Sequence, residues 1–210
     1  MKTNRKVDSA QEQAVHKFLV KYLYEKMGGW ESVDDKERQI NGIDVVRNGK
    51  AFDEKTAITY PNKTLPTYAL EVSYIDQSRN LREGWLILSN ETDYYELNYV
   101  YTSDGERPNE NNITKVESMF VEKKAILDFL ESRGWTKEKL WSMQNSIRSS
   151  GKQGKILTDD SDIFFYITNW LSEQPINIVI KRYIYETLAK CIIVTTKEKY
   201  EKVDFLRTNL

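Results

Sequence analysis

Apolar residues recur at helical spacing through residues 10 to 27, where Val15, Phe18, Leu19, Tyr22 and Leu23 form one stripe with the stem of Lys26. Gly28-Gly29 ends that pattern. Residues 31 to 40 are polar, and beyond them the period shortens to two in Ile43-Asp44-Val45-Val46 and Ala51-Phe52-Asp53-Glu54-Lys55. Tyr60 to Pro66 reads as a loop bounded by prolines, followed by a strand at Thr67 to Ile75 that places Ala69, Glu71 and Ser73 on one face. Gly84 to Leu88 and Asp93 to Tyr101 read as two antiparallel strands joined by Ser89-Asn90-Glu91-Thr92, with a polar loop over 103 to 112. Ile126, Phe129 and Leu130 predict a helix ending at Gly134, and Leu140, Met143 and Ile147 predict another capped by Thr136. Strands at Ile163 to Ile167 and Ile176 to Ile180, a short helix from Tyr183 to Ala189 and a strand at Cys191 to Val194 complete a mixed α/β pattern.

Asn48-Gly49 between the two apolar runs is a strong hairpin signal, because both residues tolerate the positive φ of a two-residue type I′ loop. That loop sets the register: 47 faces 50, 46 faces 51, 45 faces 52 and 44 faces 53. Asp44 and Asp53 then meet on one sheet face, with Lys55 two residues on and opposite Gly42. Opposed like charges repel, which a divalent cation would relieve. Paired carboxylates supply the hard oxygens that Mg²⁺ or Mn²⁺ takes while keeping several waters. The Lys55 ammonium would stabilise an attacking water or the charge growing on a phosphate.

Asp44 followed by Asp53-Glu54-Lys55 after a short hairpin resembles the metal-binding core of the PD-(D/E)XK, or restriction-endonuclease-like, nuclease superfamily, with Ile43 in place of the proline. The run from Glu37 to Val46 with Asp53-Glu54-Lys55-Thr56-Ala57 also looks like an uncharacterised bacterial and phage group of that superfamily, and the likeness extends over roughly residues 10 to 100. The resemblance implies a central mixed sheet flanked by helices, and a magnesium-dependent endonuclease acting on DNA. Its metal would be held by Asp44, Asp53 and the main-chain carbonyl of Glu54. It also implies supporting roles for Glu71, on the strand after the lysine, and for Glu12, which leads the inward stripe of the first helix; Glu37 is read as a surface charge.

At 210 residues and 40% hydrophobic content, the chain can bury one sizeable core, read as one domain with residues 113 to 210 as an elaborated C-terminal half. No apolar run reaches the roughly 18 residues that span a membrane, and the N-terminus lacks a signal-peptide core, so a cytoplasmic protein is expected. Cys191 is alone, and His16, the single histidine, falls within a helical apolar pattern and reads as a packed or surface side chain. This favours chemistry done by carboxylates and metal over zinc or Ser-His machinery. A net charge of −1 does not advertise a nucleic-acid binder, so phosphate contact must be local. Lys137, Lys139, Arg148, Lys152 and Lys155, opposed only by Glu138 and interleaved with Trp141, Gln144 and Asn145, are the candidate strand-tracking surface. Trp85, Tyr94, Tyr95, Tyr99 and Tyr101 are either base-stacking platforms or strand formers. Two alternatives stay open: a catalytically silent relative that binds DNA or a partner protein of a defence or anti-defence system, and a hairpin whose charges only protect a sheet edge. Assembly as a homodimer is open as well.

Overall fold

In the computed structural model, which describes residues 5–33, 35, 38–39 and 42–203, Asn48 and Gly49 take φ of 51° and 72°, as the two-residue loop requires. They join β2 (Val45–Arg47) to β3 (Lys50–Thr56) with Arg47↔Lys50, Val46↔Ala51 and Val45↔Phe52 in register. The ladder stops one pair short of the expected Asp44↔Asp53. Asp44 sits in a bend, its N–H bonded to the Phe52 carbonyl at 2.9 Å and its Oδ2 accepting the N–H of Glu54 at 2.7 Å. Glu37 lies outside the described residues.

Contacts gather the chain into two compact units, neither continuous in sequence. The first takes the described residues within 5–65, 91–123 and 186–203. Its sheet also contains β1 (Trp30–Ser32), β6 (Tyr94–Thr102), β7 (Ile113–Glu122), β11 (Cys191–Thr196) and β12 (Tyr200–Val203), in the order β1-β2-β3-β6-β7-β11-β12. Among the described residues only β3 and β6 pair in parallel, from Phe52↔Tyr94 to Thr56↔Asn98, which makes the sheet mixed. Helix α1 (Arg5–Leu19) covers one face, packing Ala14, Val15, Phe18 and Leu19 against Val45, Phe52, Val100, Val116 and Phe120. Each such large apolar side chain contributes about 1.5–3 kcal/mol by leaving water.

A π turn at Val20–Tyr24 continues α1, followed by one further turn at Glu25–Met27. The wider turn alters which residues face inward: Tyr24 is buried beside Leu23, while Tyr22, expected on the stripe, is only partly buried.

The other unit takes Pro66–Asn90 and Lys124–Tyr185. Its antiparallel sheet runs β5-β4-β10-β9-β8, from β4 (Thr67–Ile75), β5 (Leu81–Glu83), β8 (Gly154–Leu157), β9 (Ile163–Ile167) and β10 (Ile176–Lys181). Helices α2 (Lys123–Ser132), α3 (Lys137–Ser150) and α4 (Arg182–Leu188) match the three predicted in the second half of the chain. Thr136 caps α3, its side-chain oxygen accepting the Lys139 N–H at 3.3 Å.

The expected hairpin of 84–88 with 93–101 does not form. Residues 85–88 turn, and β6 pairs instead with β3 and with β7, a strand not expected from the sequence. The reason is local to Gly84, whose N–H bonds the Val72 carbonyl at 2.8 Å while Leu86 N–H bonds the Glu71 carbonyl at 3.1 Å. A Cβ at Gly84 would stand 2.3 Å from the Glu71 oxygen, so the glycine allows the chain to press against β4. The architecture is thus mixed α+β, and among the described residues no helix is long and apolar enough to cross a membrane.

Candidate active site

The alternation of β3 puts Asp53 and Lys55 on one sheet face and Phe52 and Glu54 on the face that α1 covers. Asp53 is only 2% exposed. Its Oδ1 lies 2.7 Å from the Lys55 ammonium, and its buried Oδ2 has no hydrogen-bond partner among the described residues. A buried carboxylate oxygen without a donor is costly, and marks a place where a cation would be stabilised. Asp44 is crowded by like charge. Burial, then the charges of Asp53 and Glu54, push its carboxyl up from 3.8 to about 7, against the pull of Lys55 and of the Glu54 N–H. Lys55 is held above its ordinary range: burial opposes the charge, but the Asp53 ion pair, Asp44 and Glu12 outweigh it.

Glu12 joins this group from α1. Burial raises its carboxyl, with Lys55 pulling it down and Asp8 and Asp53 pushing it up. Glu12, Asp44, Asp53, Glu54 and Lys55 are therefore brought together within one unit, whereas Glu71 belongs to the other, on β4, where its charge acts on Arg148. Among the described residues no group of three or more His, Cys, Asp or Glu side chains is arranged to hold a metal ion. The donors that fit one are the pair Asp44 and Asp53, hard oxygens suited to Mg²⁺ or Mn²⁺ with water completing the shell.

A second set of polar groups adjoins the first and was not expected from the sequence. His16 Nδ1 lies 3.0 and 2.9 Å from the two Glu54 carboxylate oxygens. Tyr24 Oη lies 2.6 Å from Glu54 Oε1 and 2.7 Å from Glu96 Oε2, Glu96 being the β6 residue registered with Glu54. A phenol has one proton to donate, so two carboxyl oxygens at that distance require one carboxyl to carry a proton of its own. Glu96 is the one: burial, then the charge of Glu54, push it up to about 8. Burial lowers His16, but the Glu54 hydrogen bond and the charges of Glu54, Asp44 and Glu96 more than compensate, leaving the imidazole raised. The helical spacing of His16 and the odd carboxylate in Tyr94-Tyr95-Glu96-Leu97 were the available signals, but no pattern links Tyr24 to Glu96, 72 positions away.

Four of the five cations of the candidate strand-tracking surface, Lys137, Lys139, Arg148 and Lys155, have local side-chain partners. Lys137 pairs with Glu83 at 3.1 Å, Lys139 lies 4.5 Å from the Trp135 ring centroid, and Lys155 lies 4.3 Å from that of Phe164. Arg148 donates to Gln144 Oε1 at 3.0 Å, to Ser73 Oγ at 2.9 Å and to the Gln174 carbonyl at 3.1 Å. Lys152 follows the glycine that ends α3, its main-chain N–H on Ser150 Oγ at 3.3 Å. Of the aromatic residues, Trp85 lies in the turn at 85–88, Tyr95 and Tyr99 are fully buried, Tyr94 stacks on Phe52, and Tyr101 lies under Lys115, so the four tyrosines serve mainly as strand core. Comparison with known proteins gives no match, whether to a protein-family model, a curated protein or a solved structure.

Proposed function

We propose that this protein is a magnesium- or manganese-dependent nuclease that hydrolyses DNA phosphodiester bonds at the Asp44, Asp53 and Lys55 site. The observation that supports this reading best is Asp53, almost fully buried, with one oxygen on Lys55 and the other without a donor, beside an Asp44 whose proton affinity is raised in part by Asp53 itself. A structural ion pair needs only one aspartate; a second carboxylate crowded against it is unfavourable unless a cation joins them. Bound there, a divalent cation would supply Lewis-acid stabilisation of a phosphate and a more acidic water. Asp44 and Asp53 would hold it. Asp44 is kept in place by the Glu54 N–H, and Asp53 by the strand and by Lys55. The Lys55 ammonium, oriented by Asp53 and adjoining Glu12, would align the attacking water and balance charge on the phosphoryl oxygens. Glu54 contributes its side chain to His16 and Tyr24, so only its main-chain carbonyl is left for a ligand role.

The test is cleavage of plasmid and short duplex DNA with Mg²⁺ or Mn²⁺, beside Asp53→Ala and Lys55→Ala variants, with Mn²⁺ binding followed by calorimetry. Metal-dependent cleavage lost in both variants is expected. Cleavage unaffected by both substitutions would remove these residues from the mechanism. Duplex binding with neither Mn²⁺ binding nor cleavage would replace the nuclease with a non-cutting DNA-binding protein.

A further inference from the structure

The antiparallel sheet of the unit that holds β4 and β8–β10 has two unlike faces. Ile163, Phe165 and Ile167 of β9 lie opposite Ile180, Ile178 and Ile176 of β10 on one of them; all six are buried, and Trp135 meets Phe165 there at 5.2 Å between ring centroids. On the other face the register sets two rows across β8, β9 and β10: an apolar row of Leu157, Phe164 and Val179, and beside it a polar row of Lys155, Tyr166 and Asn177. Leu157 is 74% exposed, Lys155 is exposed, and Phe164, Tyr166 and Asn177 are part-exposed. The Lys155 ammonium stands 4.3 Å from the Phe164 ring centroid and pairs with no carboxylate among the described residues. Nor do the Tyr166 hydroxyl and the Asn177 amide have a hydrogen-bond partner among them.

One end of this face is aromatic and cationic. Trp170, in the turn that joins β9 to β10, is 57% exposed, more than any other aromatic side chain among the described residues. Lys152 enters β8 at the same end, because Gly154 pairs with Ile167. The acidic groups of the sheet face are set apart from Lys155. Glu71 ends the polar row on β4, three strands and about 14 Å away, and Asp162, before the far end of β9, is paired with Lys181 at 3.0 Å.

We propose that this sheet face binds an unpaired nucleic-acid strand, one base stacking on Tyr166, its phosphate on Lys155 and its edge on the Asn177 amide, with the strand continuing toward Lys152 and Trp170. Ring, cation and amide stand on three adjacent strands, within about 10 Å, and each meets a different part of one nucleotide. An aromatic ring stacks any base, and an amide offers the donor and acceptor together that base edges require. Duplex DNA keeps its base faces covered by stacking, so only an unpaired strand can use the ring. A second copy of this chain is the poorer occupant: it would bury Lys155 and Asn177 without partners, and three apolar side chains fall far short of the roughly 800 Å² per partner of a stable interface. The site belongs to a different unit from Asp44, Asp53 and Lys55 and does not depend on the nuclease reading.

The experiment titrates the whole chain, in EDTA so that nothing is cut, into a short fluorescein-labelled oligo-dT or oligo-rU and follows anisotropy. Binding to at least one of the two is expected, with an unlabelled duplex of the same length competing at least about tenfold less well than the unlabelled strand. Tyr166→Ala should bind about tenfold more weakly, and Tyr166→Phe, which keeps the ring, within about threefold of the native protein. Lys155→Gln, a change at an exposed side chain that keeps the test available if Tyr166→Ala folds poorly, should lower the slope of log affinity against log salt by about 0.7, the share of one single-strand phosphate. Binding to neither strand overturns the proposal, as does an affinity and salt slope that Tyr166→Ala and Lys155→Gln leave unchanged. A duplex that competes as well as the strand also overturns it. Sedimentation equilibrium that shows a dimer abolished by Leu157→Glu would give the face to a second copy and overturn it too.

Discussion

Asp44 Oδ2 accepts the main-chain N–H of Glu54 at 2.7 Å, so the strand that carries Asp53 also holds the carboxylate that opposes it. The chain cannot relieve the repulsion by swinging Asp44 outward without giving up that bond. Two acidic groups are thus kept together by backbone geometry, and their proximity has consequences for stability, metal response and pH.

The first consequence concerns pH. Asp44 is raised from 3.8 to about 7, so between those values the folded protein retains a proton that the unfolded chain has released. Stability therefore falls as pH rises through that window, and the metal-free protein should be less resistant to urea at pH 8 than at pH 5. Asp44→Asn keeps an acceptor for the Glu54 N–H and removes the charge. Urea titrations should show a flatter pH profile and higher stability at pH 8 for that variant; parallel profiles would show that Asp44 is not crowded.

Lys55 gives a second test. Its ammonium is the donor to a nearly buried Asp53, and Lys55→Met leaves that carboxylate with no donor on either oxygen. Removing one partner of a buried pair costs about 3–5 kcal/mol. Chemical denaturation without divalent ions should show a loss of that order, with Mn²⁺ restoring part of it through Asp44 and Asp53. The double variant Lys55→Met with Asp53→Asn should recover most of the loss without metal. A double variant as unstable as the single one would mean that the lysine acts through packing of its stem.

What could be read from the sequence was what is encoded locally. Asn48-Gly49 fixes a loop through two residues' tolerance of positive φ, and the loop alone brings Asp44, Asp53 and Lys55 into one neighbourhood. The Thr136 cap and the strand at Ile163–Ile167 are equally local. The parallel pairing of β3 with β6 is set by the tertiary fold, and with it the meeting of Glu54 and Glu96. The π turn is invisible to a 3.6-residue count, so Tyr22 was expected to face inward and Tyr24 was overlooked. Residues 84–88 carry strand-like composition, but close approach of two backbones at Gly84 converts them to a turn.

Gly84 provides a test in the other unit. A Cβ there would lie 2.3 Å from the Glu71 oxygen and 2.5 Å from its carbonyl carbon, and both are backbone atoms that cannot rotate away. Gly84→Ala should cost at least about 3 kcal/mol, in the range of severe packing defects. Thermal unfolding would register it as a large drop in Tm. A change within about 0.5 kcal/mol would show that β4 and residues 84–88 do not pack so closely.

Tyr24 links the buried carboxyls, and its removal tests the proton shared among them. Tyr24→Phe keeps the ring that stacks on Trp30 but takes away the hydroxyl lying 2.6 Å from Glu54 and 2.7 Å from Glu96. The loss should be about 1.5–3 kcal/mol, as for hydrogen bonds to charged groups. Glu96 holds its proton up to about 8, so the folded state binds more protons than the unfolded one from its ordinary 4.5 upward. Stability from this group falls as pH rises through that interval and stays low above it. Without the hydroxyl the ionised pair loses a donor as well, so the gap between Tyr24→Phe and the native protein should be wider at pH 9 than at pH 6. Glu96→Gln in the Tyr24→Phe background, which leaves one carboxylate and supplies an amide donor, should narrow the gap at pH 9. Melting curves at the two pH values decide it: a gap independent of pH and unchanged by Glu96→Gln would mean that the hydroxyl fills space and holds no shared proton.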